Sequence, residues 1–316
     1  MSDSARTMLG ETGLAVSRIG LGLAALGRPG YINVGHASDL DGHTSVAEME
    51  QGAHAVLDAA YEGGVRYFDA ARSYGRAEQF LGSWLSARGF ARGDVTVGSK
   101  WGYTYTADWR VDAEVNEVKD LSAANFRRQI AETRELLGDY LCVYQIHSAT
   151  IESGVIDDPA VRRELSALRA TGVFIGLSTT GPRQPDTIER AIEAGGFDTV
   201  QSTWNLLERS AGPALAKAHA AGMGVIIKEA LANGRLTDRG DVPALIEAAH
   251  SLGTTADALA LAAVVAQPWV NVALSGAATV DQLHSNLGAL EVVGRLESLT
   301  EDPETYWAER SELPWN

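Results

Sequence analysis

The segment Val65–Lys100, VRYFDAARSYGRAEQFLGSWLSARGFARGDVTVGSK, holds two short apolar runs with a helical pattern between them. Val65–Ala70 and Val95–Lys100 read as strands buried on both faces, and Ala77–Ala87 reads as the helix that joins them. The first strand ends on Asp69, the second on Lys100, and Tyr74 follows Asp69 after a small-residue turn. A strand buried on both faces needs no charge at its tip, so the two charges call for a purpose.

The same alternation runs through the chain. Further strands are expected at Arg18–Ala25, Leu141–His147, Phe174–Ser178, Thr199–Thr203, Gly224–Lys228 and Val270–Gly276. Helical patterns occupy Val46–Gly63, Ala123–Leu137, Pro159–Ala170, Pro185–Ala194, Pro213–Ala221, Asp257–Ala266 and Val280–Leu290, with an extra helix over Asp241–Leu252. Ser122 is placed to cap a helix, Gly172 to stop one, and Pro185 and Pro213 stand at helix starts. Eight strand–helix units point to an α/β fold, a (β/α)8 TIM barrel, as one domain over residues 1–316. The rival is a doubly wound open sheet, which wants G-x-G-x-x-G after an early strand; GLGLAALG after the first strand has the wrong spacing. A short N-terminal hairpin over about residues 6–17 would plug the barrel floor, and a tail over about 294–316 would follow the last unit.

With 316 residues, 45% hydrophobic and 21% charged, the chain can bury a large core. Its net charge of −15 disfavours nucleic acid and anionic membranes as partners. The single cysteine, Cys142, lies in the apolar run YLCVYQI and reads as a small core residue in a reducing compartment. No apolar run reaches transmembrane length and MSDSARTMLG has no signal-peptide core, so a cytoplasmic location is expected. Oligomeric state is left open.

The active end of a barrel lies at the C-terminal ends of its strands. Polar residues gather there: Asp69 and Tyr74, Lys100, His147, Ser178 and Thr179, Gln201, Lys228 and Glu229, and Ser275 with Gly276. Four of these form a chemical set. A tyrosine hydroxyl is a weak acid, and an ammonium beside it favours the phenolate. Lys100 can supply that charge, Asp69 can hold Lys100 protonated, and His147 can bond a substrate oxygen. Alone, each has a bland reading: a packed tyrosine, a surface lysine, a core histidine. Lys228 admits a Schiff-base reading, but Glu229 beside it suggests an ion pair.

The set of Asp69, Tyr74, Lys100 and His147 resembles the catalytic tetrad of the aldo-keto reductases, and FDAARSYG is similar to that family's Asp-x-Ala-x-x-Tyr-Gly signature. The resemblance runs from SRIGLGLAALG to VDQLHSNLGAL. It implies carbonyl reduction with NADPH, NADH being possible, in which Tyr74 gives the proton and the other three support it. It also implies cofactor contacts. Ser178, Thr179 (in place of the family's Asn) and Gln201 would hold the carboxamide, and Trp204 would stack on the nicotinamide. Leu231, Gly234 and Leu236 would cover the pyrophosphate. Ser275, Gly276, Ala277, Thr279, Gln282 and Asn286 would grip the adenosine end, and Gly22 would border the cofactor after the first strand. Ala278 stands where a cation often meets the 2′-phosphate.

Three further segments carry expectations. HASDLDGH, His36–His43, has metal-ligand residue types but sits in a Gly-rich loop that reads as solvated or as a lid; no metal is expected. Tyr31, Trp101 and Tyr103 are candidate substrate contacts, because aromatic walls suit small carbonyls and sugars. Trp307 and Trp315 in the tail either dock on the barrel or fold over the pocket. Two other functions stay open: a sugar or alcohol dehydrogenase running oxidatively, and an NADPH-binding regulatory subunit with little turnover.

Overall fold

The computed structural model describes residues 6–292 and 299–316, so 294–298 of the expected tail lie outside the described residues. Eight parallel strands close into a barrel in chain order. They are β1 (Ile19–Gly22), β2 (Tyr67–Asp69), β3 (Thr96–Trp101), β4 (Leu141–Ala149), β5 (Phe174–Thr179), β6 (Thr199–Thr203), β7 (Gly224–Lys228) and β8 (Val272–Ser275). Helices alternate with them on the outside: α1 (Val46–Glu62), α2 (Ala77–Arg88), α3 (Ala123–Leu137), α4 (Pro159–Arg169), α5 (Gln184–Ala194) and α6 (Gly212–Ala220). The series ends with α7 (Pro243–Ser251), which is the extra helix, then α8 (Ala256–Val265), α9 (Val280–Leu287) and α10 (Pro303–Ser311). The chain is a (β/α)8 barrel.

Local chemistry sets the element ends. Ser45 and Glu48 form a reciprocal capping box on α1, and Ser122 accepts the Asn125 N–H on α3. Asp158 accepts two N–H groups at the start of α4, with Pro159 in the first turn. α4 ends at Arg169 and the chain reverses at Gly172, whose φ of +92° suits glycine. β1 is shorter than the expected Arg18–Ala25, because the chain turns at Leu23, whose carbonyl takes the N–H groups of Leu26 and Gly27. β8 likewise pairs over Val272–Ser275 rather than Val270–Gly276.

Among the described residues, three apolar clusters organise the interior. The largest lies between the barrel wall and the helices. A second, inside the barrel floor, joins Tyr67, Val143, Ile226 and Val272 to Leu9 and Val16 of the hairpin Arg6–Met8/Ala15–Ser17. That hairpin closes the lower end and leaves the upper end for chemistry. A third cluster, with Leu206, Leu236, Leu245 and Trp307, seats α7 and α10 beside the upper rim. Cys142 is half-buried against the floor cluster. Among the described residues no single helix is long and apolar enough to cross a membrane.

Candidate active site

The turn after β2 is what carries Tyr74 to the barrel mouth. Arg72 pins it, donating to Glu78 at 2.5 Å and to Glu132 at 2.8 Å, while its own N–H reaches the Lys100 carbonyl at 3.0 Å. Gly27 in the β1 loop packs against this turn. A Cβ there would stand 2.1 Å from the Tyr74 carbonyl oxygen, so only glycine permits the approach.

The four residues converge. Lys100 Nζ is fully buried; it pairs with the Asp69 carboxylate and donates to the Ala70 carbonyl at 3.0 Å and to Tyr74 Oη at 3.3 Å. The His147 ring stands edge-on to the Tyr74 ring at 5.5 Å, with Ser73 Oγ 3.4 Å from its Nδ1. Asp69 Oδ1 is approached from behind by Gln201 Nε2 at 3.0 Å, and by Tyr67 Oη and Gln145 Nε2, each at 3.4 Å.

The electrostatics correct one expectation. Burial, then the Asp69 charge, push the Tyr74 hydroxyl well above its ordinary range, so Lys100 does not leave it acidic in the free protein. A phenol removed from water keeps its proton, because the phenolate loses more hydration than one ammonium returns. Burial pushes His147 well below its ordinary range, and Lys100, Lys228, Arg28 and Lys119 push the same way, so its imidazole is neutral at pH 7.

Tyr74 and His147 open onto a cleft of about 640 Å³ that runs to the first turn of α9. Gly22, Gln201, Leu231, Gly234, Ser275, Gly276, Ala277, Gln282 and Asn286 border it, as do Tyr31 and Tyr103. Ser178 lies just beneath, its Oγ accepting the Ser148 N–H at 2.8 Å. Thr279 caps α9, accepting the Gln282 N–H at 3.2 Å.

Four expected contacts stand elsewhere. Trp204 does not border the cleft: its ring packs edge-on against Trp269 at 5.5 Å, under the Arg209 guanidinium. Trp101 is fully buried against Phe126 in the layer between β3 and α3, not on the substrate wall. Thr179 turns toward α5, bonding Ser202 at 2.8 Å. Leu236 is sealed in the third cluster. The reason is shared. Strand alternation and loop turns decide which way each side chain faces, and the outward faces here had apolar or polar partners waiting.

The residues of HASDLDGH disperse. His36 is buried edge-on to Tyr31, Asp39 pairs with Arg239, and His43 meets Glu48. The Asp39–Arg239 pair is bidentate, at 2.8 and 3.1 Å, and ties the β1 loop to the β7 loop; both residues line the cleft. Beside it, Val34 donates to the Asn233 carbonyl at 2.9 Å.

Sequence reasoning missed Arg28, Glu117 and Arg310, all at the cleft. Glu117 arrives on a small hairpin, Tyr103–Tyr105 with Glu117–Lys119, that the aromatic run WGYTYTADW concealed. Arg310 on α10 grips Glu229 through both carboxylate oxygens; the backbone φ of Glu229 is +53°, and its carbonyl takes the Asn205 amide N–H at 2.9 Å. Lys228 donates to Thr203 at 2.8 Å and sits 3.4 Å from Glu229; burial lowers its pKa to about 8. The tail folds over the mouth: Asn316 and Tyr31 exchange two backbone bonds of 3.1 Å, and Trp315 borders the cleft. Trp307 instead packs in the third cluster.

Residues 18–300 match the model of the aldo/keto reductase family. A Bacillus subtilis (strain 168) protein named uncharacterized oxidoreductase YrpG is 26% identical, the match covering 90% of this chain and 91% of the relative. L-galactose dehydrogenase of Arabidopsis thaliana is 29% identical, with 94% of this chain and 90% of the relative covered. Among solved structures, the holo form of aldo-keto reductase AKR11C1 from Bacillus halodurans superposes with a TM-score of 0.70. Its identity is 22%, over 96% of this chain and 95% of that one, which is a likeness of fold.

Proposed function

The chain belongs to the aldo/keto reductase family and is an NAD(P)H-dependent oxidoreductase acting on small molecules; on that premise we propose that it interconverts an aldehyde or ketone with its alcohol, with Tyr74 as the proton-transfer group. The observation that carries this reading is the 3.3 Å contact of the buried, Asp69-paired Lys100 with Tyr74 Oη at the head of a long cleft.

The cleft's donors and acceptors suit a nicotinamide dinucleotide. Gly276 has open space where a Cβ would be, so its backbone can approach a ligand closely. The capped first turn of α9 offers a positive helix end to a phosphate. Gln201, bonded to Asp69, and Asn286, bonded to Ser275, border the cleft as polar anchors. When bound, the nicotinamide supplies or accepts the hydride.

The chain's own residues manage the proton. Tyr74 holds it at neutral pH because burial disfavours the phenolate. As the proton moves to a substrate oxygen, charge forms on Oη within reach of Lys100, whose ammonium stabilises it most at that moment. Asp69 pairs with Lys100 and orients it toward Tyr74. Neutral His147, beside Tyr74, orients the substrate oxygen.

For the cofactor, the lining at the α9 end supports NADH over the NADPH expected from sequence. Asp238, Asp257 and Asp281 border it, Ala278 brings no charge, and Arg239 is engaged by Asp39. A 2′-phosphate would meet carboxylates, whereas ribose hydroxyls can donate to them. NADH selectivity and the kinship to a sugar dehydrogenase favour oxidation of an alcohol or hemiacetal as the second reading of the same chemistry. Steady-state turnover of a panel of carbonyls and sugars, with each cofactor, tests the proposal. Turnover abolished in Tyr74→Phe supports it; full activity in that variant refutes the proton-transfer role. A covalent adduct on Lys228 after borohydride trapping would replace it with Schiff-base chemistry.

A further inference from the structure

Arg28 is a cation at the reaction centre that the proton chemistry leaves without a task. It is 2% exposed and borders the cleft with Tyr74 and His147. One side of its guanidinium is used: Nη1 donates to the Ser73 carbonyl at 3.0 Å and to the Glu117 carboxylate. The other side is not. Nε is buried without a partner, and Nη2 has no acceptor among the described residues. Nε–H and the neighbouring Nη2–H lie parallel on one edge, the fork that matches the two oxygens of a carboxylate.

Three rings hold the plane of this fork. Arg28 Cζ lies 4.6 Å from the Trp315 ring centroid, 5.0 Å from Tyr31 and 5.4 Å from Tyr74. A guanidinium set among aromatic faces is preorganised, and a buried charged donor without an acceptor is costly to keep. Around Tyr74, away from the carboxylates at the α9 end, the balance of charge has the same sign. Lys100, Arg28, Lys228 and Arg310 stand against Asp69, Glu117 and Glu229, four cations to three carboxylates.

We propose that the free edge of Arg28 receives a carboxylate of the substrate, making this an enzyme of carbonyl acids and hydroxy acids. The chemical half of this inference rests on the oxidoreductase reading above; the binding half does not. Arg28 lies directly against the Tyr74 ring, so the carboxylate and the reacting carbonyl are separated by only a few bonds. Trp315, its ring centroid 4.6 Å from the guanidinium, walls the acid end of the cleft.

The experiment compares short 2-oxo and ω-oxo acids with their carboxamides, which match them in shape but carry no charge. The first readout is kcat/KM with NADH and NADPH. The second is binding of propionate and propionamide to the free protein by saturation-transfer NMR. The wild type should favour acid over amide by roughly 10- to 100-fold in kcat/KM, as for a charge-assisted bond. The ratio should collapse toward unity in Arg28→Gln. Arg28→Lys, which keeps the charge but not the fork, should give an intermediate ratio and guards against a misfolded Gln variant. Equal use of acids and amides, or equal losses for both in the variants, overturns the carboxylate site and leaves the reductase reading standing. Propionate binding that needs Arg28, with no turnover of any carbonyl, upholds the site and overturns the reductase reading.

Discussion

Lys100 Nζ lies 3.3 Å from Tyr74 Oη while it is paired with Asp69, so one ammonium couples a buried carboxylate to the proposed proton donor. Tyr74→Phe removes the hydroxyl and little volume. Turnover should fall by roughly 10²- to 10⁴-fold, the range for losing a general acid or base, with cofactor affinity retained. Steady-state kinetics beside a cofactor titration checks both halves.

Lys100→Met should impair activity and also stability. It leaves Asp69, 2% exposed, without its counter-ion, and removing one partner of a buried pair costs about 3–5 kcal/mol. Urea unfolding measures the loss. The double variant Lys100→Met/Asp69→Asn should recover part of it, since no uncompensated charge remains; no recovery would mean that packing alone is at stake.

His147 makes a signed prediction for pH. Its native pKa is pushed well below the ordinary 6.5 by burial and by four cations. Above pH 6.5 both native and unfolded imidazoles are neutral and nothing changes. As pH falls below 6.5, the unfolded chain takes a proton that the native protein refuses, so stability drops. Buried His36 acts in the same direction. Urea midpoints at pH 7.5 and 5.5 should show this loss, and His147→Gln should reduce it.

Trp315 borders the cleft, and Trp204 is turned away against Trp269. Quenching of tryptophan fluorescence by NADH should therefore disappear largely in Trp315→Phe and persist in Trp204→Phe. The opposite pattern would place the nicotinamide on the Trp204 side.

The Asp39–Arg239 pair joins the β1 and β7 loops at the cleft's border. Asp39→Ala should speed cofactor release several-fold with a smaller effect on binding rate, as interface contacts act mainly through dissociation. Stopped-flow displacement reads both rates. Unchanged release would show that the loops open without breaking the pair.

Much of the fold was legible because its signals are local. Runs such as GVIIK and LCVYQI, separated by capped amphipathic stretches, specify strands and helices by period alone, and short connections leave a closed parallel barrel as their packing. Parallel strands also put all their C-terminal ends on one face, which groups Asp69, Tyr74, Lys100 and His147 from the sequence alone. What only the tertiary structure decided was direction and company. Trp101 faces α3 and Trp204 packs on Trp269, away from the cleft where both were expected. Arg28, Glu117 and Arg310 come from loops, a concealed hairpin and the last helix; nothing in their neighbours' sequence marks them. Contacts such as Arg28–Glu117 and Glu229–Arg310 span 89 and 81 positions of chain. Local periodicity carries no information over such separations; they are set when side chains compete for the same buried volume and the same unpaired charges.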